Sequence, residues 1–345
     1  MESPDAIRKN EHLALAEKLY PQTHQTNPFN QVQIIPTALP ETAVDQTSLQ
    51  TTITDELQLE RPFYLEAMTG GSKRAGQINA DLAAVAHKYQ LAMATGSMSI
   101  IFKDPASQSS FQVIRKQNPD GIVLANLSAK ASIDQAAKAM QLVHAQALEI
   151  HLNAAQELVM PEGGRQFNWV ANIDQLAARF PVIVKEVGFG MNKNDISQLQ
   201  SAGVTVINVS GRGGTNFAAI ENARNYHTDL SSLTNWGLTT PQSLLEARAS
   251  RHPSTAIIAS GGICSPLDVV KAGVLGADAV GVAGHFLHQY IQHGRPALEK
   301  TIADWTVAVE RLITLCGCHN FQELRTCQFT LSADLLAYAQ QRQII

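Results

Sequence analysis

The chain has 345 residues, with 26 Lys+Arg against 30 Asp+Glu for a formal net charge of −4, 45% apolar residues and 16% charged ones. Without a basic excess it offers no broad surface for nucleic-acid phosphates, so any anion site must be local. No apolar run approaches the roughly 18 residues of a membrane span, residues 1–11 lack a signal-peptide core, and four cysteines are too few for a disulfide framework, so a cytoplasmic protein is expected.

Residues 1–60 read as an N-terminal extension: a short helix over 11–20, then a Pro-, Thr- and Gln-rich stretch over 21–55 that is loop with short strands. Within it, Arg8-Lys9-Asn10-Glu11-His12 places two adjacent cations and an imidazole together. Such a group suits a diphosphate, although a solvated charged helix face is the plainer alternative.

From residue 61 onward a rhythm sets in. Eight short apolar runs occur at 63–68, 91–95, 122–127, 147–152, 182–187, 205–209, 256–259 and 279–283. Most are near-continuous rather than alternating, as strands covered on both faces should be. Helical patterns separate them at 75–89, 107–116, 132–145, 172–179, 193–202, 240–251 and 267–275. Asn194-Asp195 and Ser265-Pro266 read as helix starts. Eight strand–helix units predict a TIM (β/α)8 barrel over 61–345, with C-terminal helices. An open doubly wound sheet is the alternative, and the lack of a GxGxxG or Walker A motif disfavours it. The Gly-punctuated stretch 211–239 reads as one long binding loop.

Barrel enzymes work at the C-terminal ends of their strands. Here those ends carry Met68-Thr69, Thr95-Gly96-Ser97, Asn126, His151-Leu152-Asn153, Lys185, Asn208-Val209-Ser210, Ser260-Gly261-Gly262 and Ala283-Gly284. Ser, Thr and Asn often just terminate strands, but an unpaired lysine or imidazole in a doubly covered strand costs several kcal/mol, so Lys185 and His151 call for partners. Gly261-Gly262-Ile263 and Ala283-Gly284 lack bulk and let backbone N–H groups approach a phosphate. With Lys185, Asn126 and Ser97 they make flavin mononucleotide (FMN) the leading cofactor. In the segment 151–157, Gln156 suits a substrate contact and Glu157 a hard cation, with a helix cap as the alternative. Cys316, Cys318, Cys327 and His319 lack CxxC spacing and read as packed or surface thiols rather than a metal site, and Cys264 is expected to contribute only backbone.

As a set, these residues resemble the type 2, FMN-dependent isopentenyl-diphosphate delta-isomerases. The matching segments are RKNEHL at 8–13, EAMTGGS at 66–72, TGS at 95–97, ANLS at 125–128, HLNAAQE at 151–157, VKEVGFGM at 184–191, NVSGRGGTNF at 208–217, ASGGI at 259–263 and GVAG at 281–284. The resemblance implies an FMN-binding barrel that interconverts isopentenyl and dimethylallyl diphosphate with reduced FMN, NADPH as reductant and Mg2+, assembled as a homotetramer or homo-octamer. It implies FMN contacts from Ala67, Met68, Thr69, Ser97, Asn126, Lys185, Ser210, Thr215, Gly261, Gly262, Ile263, Ala283 and Gly284. Substrate would meet Arg8, Lys9, His12, Ser97, His151, Asn153 and Gln156, with Gln156, His151 and Lys185 catalytic and Glu157 holding Mg2+. One departure stands out: the family's arginine after Gly96-Ser97 is absent, with Met98 assigned to its place, and Lys103 or the Arg8-Lys9 pair would compensate.

Overall fold

The computed structural model describes residues 3–23 and 25–345; the parts of the N-terminal extension at residues 1, 2 and 24 lie outside the described residues. Helix α1 (Pro4–Thr23) is twice the expected length and buries Ala6 and Leu13, so Arg8, Lys9 and His12 all sit on one helix. Strands β1 (Val32–Ile34), β2 (Thr51–Thr54) and β3 (Leu57–Leu59) follow. The β2–β3 hairpin brings Ile53, Leu57 and Leu59 against Tyr64, Leu124 and Ile258, which plugs the bottom of the barrel with apolar side chains.

The barrel runs β4 (Phe63–Leu65), α2 (Lys73–Tyr89), β5 (Met93–Ala94), α3 (Ser109–Gln117), β6 (Val123–Ser128), α4 (Ile133–Val143), β7 (Ala147–Leu152), α5 (Ala154–Val159), α6 (Val170–Ala177) and β8 (Val182–Glu186). It continues with α7 (Lys193–Ser201), β9 (Val206–Asn208), α8 (Phe217–Arg224), α9 (Thr240–Ser250), β10 (Ala256–Ser260), α10 (Pro266–Val274), β11 (Ala279–Val282) and α11 (Gly284–Leu315). Strands β4 to β11 pair in parallel and close on themselves in the order β10-β11-β4-β5-β6-β7-β8-β9, the expected eight-stranded barrel. Beyond it, β12 (Phe329–Leu331) pairs antiparallel with β1 and α12 (Ala333–Gln341) ends the chain, so extension and C-terminus are tied together by backbone hydrogen bonds.

The apolar runs become strands because each buries side chains on both faces: β8 and β10 are buried at every position. Several strands end earlier than their apolar runs. The first stops at Leu65 rather than at residue 68 because the Glu66 carboxylate takes the Ala67 N–H at 2.7 Å in place of a ladder partner. Helix starts follow side-chain capping. Ser265 caps α10 with Pro266 at its first turn, as expected, but α7 is capped by Asn192, whose Oδ1 accepts from the Asn194 and Asp195 N–H groups. The segment 211–239 is not one loop: it contains α8, which packs on α5 beside the mouth of the barrel.

Candidate active site

A cavity of about 550 Å³ opens at the C-terminal ends of the strands, with α1 along its rim. All of the residues assigned to cofactor, substrate and metal from sequence line it. Ala67, Met68 and Thr69 follow β4, Ser97 follows β5, and Asn126 and His151 lie in β6 and β7. Asn153, Gln156 and Glu157 belong to the start of α5, and Lys185 to β8. Ser210 and Thr215 follow β9; Gly261, Gly262 and Ile263 follow β10; Ala283 and Gly284 join β11 to α11; Arg8, Lys9 and His12 come from α1.

The glycine turn is a cradle that side chains would fill. Gly261 and Gly262 have φ of +89° and +74°, and a Cβ on Gly261 would stand 2.0 Å from the Gly211 carbonyl oxygen. The first turn of α11 begins beside it at Gly284, where unpaired helix N–H groups favour an anion. Thr69 Oγ1, buried and without a protein partner, lines the same cavity. A backbone cradle, an orphaned hydroxyl and a cavity of this size fit a phosphorylated cofactor such as FMN.

Polar side chains floor the cavity. Lys185 Nζ donates to the Glu186 carbonyl at 3.1 Å and lies 3.9 Å from Glu66 Oε1, which answers the need for a partner seen in the sequence. Glu66 Oε2 accepts from Tyr64 OH at 2.9 Å and Asn208 Nδ2 at 2.6 Å. His151 Nδ1 lies 2.8 Å from Asn126 Oδ1, and Asn126 Nδ2 donates to Glu149 Oε2 at 3.0 Å. Burial, reinforced by Lys185, Lys9 and Lys130, pushes the His151 imidazole down to about 3, so it is neutral at physiological pH.

At the rim, charges hold α1 in place. Arg8 pairs with Asp5 at 2.7 Å and reaches Glu162 at 3.4 Å, and Arg224 binds Glu11, Glu162 and Glu221. Glu221 Oε1 takes the Gln156 amide at 2.9 Å and lies 2.9 Å from His12 Nε2. Burial works against ionisation of Glu221, yet its contacts with His12, Gln156 and Arg224 hold the carboxyl down at about 2. Lys9 is crowded by protein, and burial, with Arg8 beside it, lowers its ammonium to about 8. Glu221, Arg224 and Glu66 were missed from sequence. The Glu221/Arg224 pair, three residues apart in FAAIENAR, is the available signal, and it lies in a segment whose Gly and Asn content reads as loop.

The structure defines the surroundings of two positions. Met98 is fully buried in the core and cannot stand for the missing arginine; the side chain facing the cavity there is Ser99, with Lys103 further along the same turn and 3.6 Å from Asp5. Glu157 is not a simple cap or a free ligand. Its Oε2 is held by Lys130 Nζ at 3.1 Å and the Gly164 N–H at 2.5 Å, leaving Oε1 with only the Asn153 amide at 3.2 Å. Among the described residues no three His, Cys, Asp or Glu side chains form a metal-binding group. Cys318 and Cys327 are free thiols 3.6 Å apart.

A closed parallel barrel with a phosphate cradle after its seventh and eighth strands defines the class, an FMN-type α/β barrel, and the model of the FMN-dependent dehydrogenase family matches residues 111–330. Solved structures of mandelate oxidase with (S)-2-phenylpropionate (TM-score 0.66, 16% identity, 94% of this chain and 98% of that one) and of a flavocytochrome b2 variant (0.66, 18%, 94% and 84%) share this fold. Sequence comparison narrows the class. The chain is 59% identical over 346 residues, 100% of its length and 99% of the other, to an isopentenyl-diphosphate delta-isomerase of Limosilactobacillus reuteri subsp. reuteri. It is 41% identical over 97% of its length and 96% of the other to one from Staphylococcus haemolyticus, and 47% identical over 82% and 78% to one from Nocardia farcinica. The chain belongs to the isopentenyl-diphosphate delta-isomerase family.

Proposed function

We propose that the protein interconverts isopentenyl and dimethylallyl diphosphate by an allylic 1,3-proton shift, using reduced FMN with NADPH as its reductant, and Mg2+. The observation that carries this reading is one cavity lined by two groups suited to anions: the Gly261-Gly262 cradle and the Arg8, Lys9 and His12 side chains of α1. An oxidase of the same fold needs the first but not the second. The substrate's diphosphate goes to α1, Ser97 and Asn153, which leaves its apolar end toward Gln156, His151 and the cofactor.

When bound, reduced FMN supplies an electron-rich ring that stabilises the positive charge developing on the isoprene carbons. Lys185, buried at the cavity floor, favours an anionic ring by Coulomb attraction. Gln156 is held by Glu221 at the place where the reacting carbons fit, and orients them. Glu157 fits Mg2+ as an ion carried with the substrate: one carboxylate oxygen is free of charged partners, and phosphates and water complete the shell. Lys130 then yields part of its hold on Glu157.

We place the enzyme in the cytoplasm as a homotetramer or homo-octamer, without nucleic-acid partners; among the described residues no helix is long and apolar enough to cross a membrane. The test is anaerobic incubation of the protein with FMN, NADPH, Mg2+ and isopentenyl diphosphate. Dimethylallyl diphosphate is the expected product, and its absence under reducing conditions refutes the reading.

A further inference from the structure

The floor of the cavity contains a carboxylic acid that the reaction as derived does not use. Glu149 and His151 are two residues apart on β7 and so share its inward face, and Asn126 on β6 is the direct register partner of Glu149. The three side chains form one line: His151 Nδ1 to Asn126 Oδ1 at 2.8 Å, Asn126 Nδ2 to Glu149 Oε2 at 3.0 Å. Glu149 and Asn126 are buried, at 0% and 3% exposure, so the bond between them lies away from solvent.

We propose that Glu149 is a positioning residue: acting through the Asn126 amide, it fixes His151 in the Nδ1–H tautomer, so that Nε2 enters the cavity as a hydrogen-bond acceptor. The argument follows from donor and acceptor inventory. A side-chain amide presents its oxygen on one side and its NH2 on the other. Glu149 Oε2 accepts, so the Asn126 NH2 faces it and Asn126 Oδ1 faces the imidazole. An oxygen there requires a proton on Nδ1, and a neutral imidazole has only one N–H.

Two features keep this arrangement from inverting. Burial, with the negative charge of Glu66 alongside, holds Glu149 well above the usual carboxylate range. Oε2 is engaged by the Asn126 NH2, whereas Oε1 is buried with no hydrogen-bond partner, so the proton belongs on Oε1 and Oε2 remains an acceptor for Asn126. The groups around the imidazole also oppose a second proton: Lys185 on β8, Lys9 on α1 and Lys130 after β6 all lower its pKa, while Glu66 lies 3.9 Å from Lys185 and Glu149 lies beyond Asn126.

The consequence concerns what His151 meets. A bare nitrogen lone pair repels a phosphate oxyanion and attracts N–H or O–H. Resting on the proposed function only for the identity of its neighbours, Nε2 then faces the N–H rim of a reduced flavin or a protonated phosphate oxygen. The charged diphosphate is left to the cations of α1.

The test uses the FMN-loaded holoenzyme labelled with 15N-histidine, with the His151 signals assigned by their loss in His151→Gln. Proton-coupled 15N spectra at pH 6 to 7.5 should show Nδ1 protonated and Nε2 bare. Glu149→Gln should keep that pattern, because its amide nitrogen replaces the protonated oxygen toward Glu66 and its carbonyl still accepts from Asn126. Glu149→Leu removes the acceptor, and the single tautomer should give way to a mixture. A wild-type Nε2–H, an imidazolium across this range, or an unchanged tautomer in Glu149→Leu overturns the proposal. If Glu149→Leu does not fold, the wild-type and Glu149→Gln spectra decide by themselves. The spectra do not require turnover, so a chain that failed the isomerase assay would still answer this question.

Discussion

Lys9 offers the sharpest test of the clamp on α1. Crowding by protein and the neighbouring Arg8 lower its ammonium to about 8, from the 10.5 of an unperturbed lysine. The charged form is therefore disfavoured in the folded state, and Lys9 adds to stability as pH rises from about 8 toward its unfolded value near 10.5. Substrate binding runs the other way, since a diphosphate needs the ammonium. With a pKa of about 8, the protonated fraction falls from about 0.9 at pH 7 to about 0.09 at pH 9, so the Michaelis constant of the wild type should rise about tenfold across that range. Lys9→Ala loses one charged contact worth about 2 kcal/mol in a partly desolvated site, about 30-fold in the Michaelis constant at pH 7. With no ammonium left to titrate, its constant should then stay flat to pH 9. Initial rates against isopentenyl diphosphate at saturating FMN and Mg2+ measure both. A flat wild-type profile, or a Lys9→Ala variant that keeps the rise, refutes the assignment of this lysine to the diphosphate.

The other expectations concern the cradle, the metal and the rim. Gly261→Ala forces a side chain into φ +89° with its Cβ 2.0 Å from the Gly211 oxygen, so FMN affinity should fall at least about tenfold in a fluorescence titration, while an unaltered affinity would remove the cradle from that role. Glu157→Gln should raise the half-saturating Mg2+ concentration about tenfold and leave FMN content unchanged; an equal loss of FMN would mean that Glu157 holds the fold rather than the ion. Arg224→Ala leaves buried Glu221 with only Gln156 and His12 and frees Glu11, and should cost about 2 kcal/mol in denaturant unfolding. Limited proteolysis of that variant should cut first within residues 4–23, and cleavage elsewhere would show that these ion pairs do not anchor α1.

The apolar runs are easy to read because a strand covered on both faces is rich in Val, Ile, Leu and Ala: β10 carries that signature up to Ser260, while in β7 and β8 only the site residues Glu149, His151, Lys185 and Glu186 break it. The glycine cradle was legible for a related reason: adjacent glycines at a strand end have little other use than a backbone turn with close approach. Strand ends were less legible, because whether Glu66 or Thr95 continues a ladder depends on which donor stands opposite. Helix α8 hid inside a Gly- and Asn-rich segment because its hydrophobic face is set by packing on α5, not by a strong internal pattern.

The order of apolar and helical segments by itself determined a (β/α)8 barrel, and the residues at the strand ends by themselves determined where its chemistry lies, since hydrophobic period and backbone freedom are local properties. The tertiary structure alone decided which charges meet. It brought α1 and the cradle to one cavity, gave Glu221 to both Gln156 and His12, turned Ser99 rather than Met98 to that cavity, and lined up His151, Asn126 and Glu149. Those contacts join residues up to hundreds of positions apart, and their energies depend on burial and partner geometry that no local stretch of sequence contains.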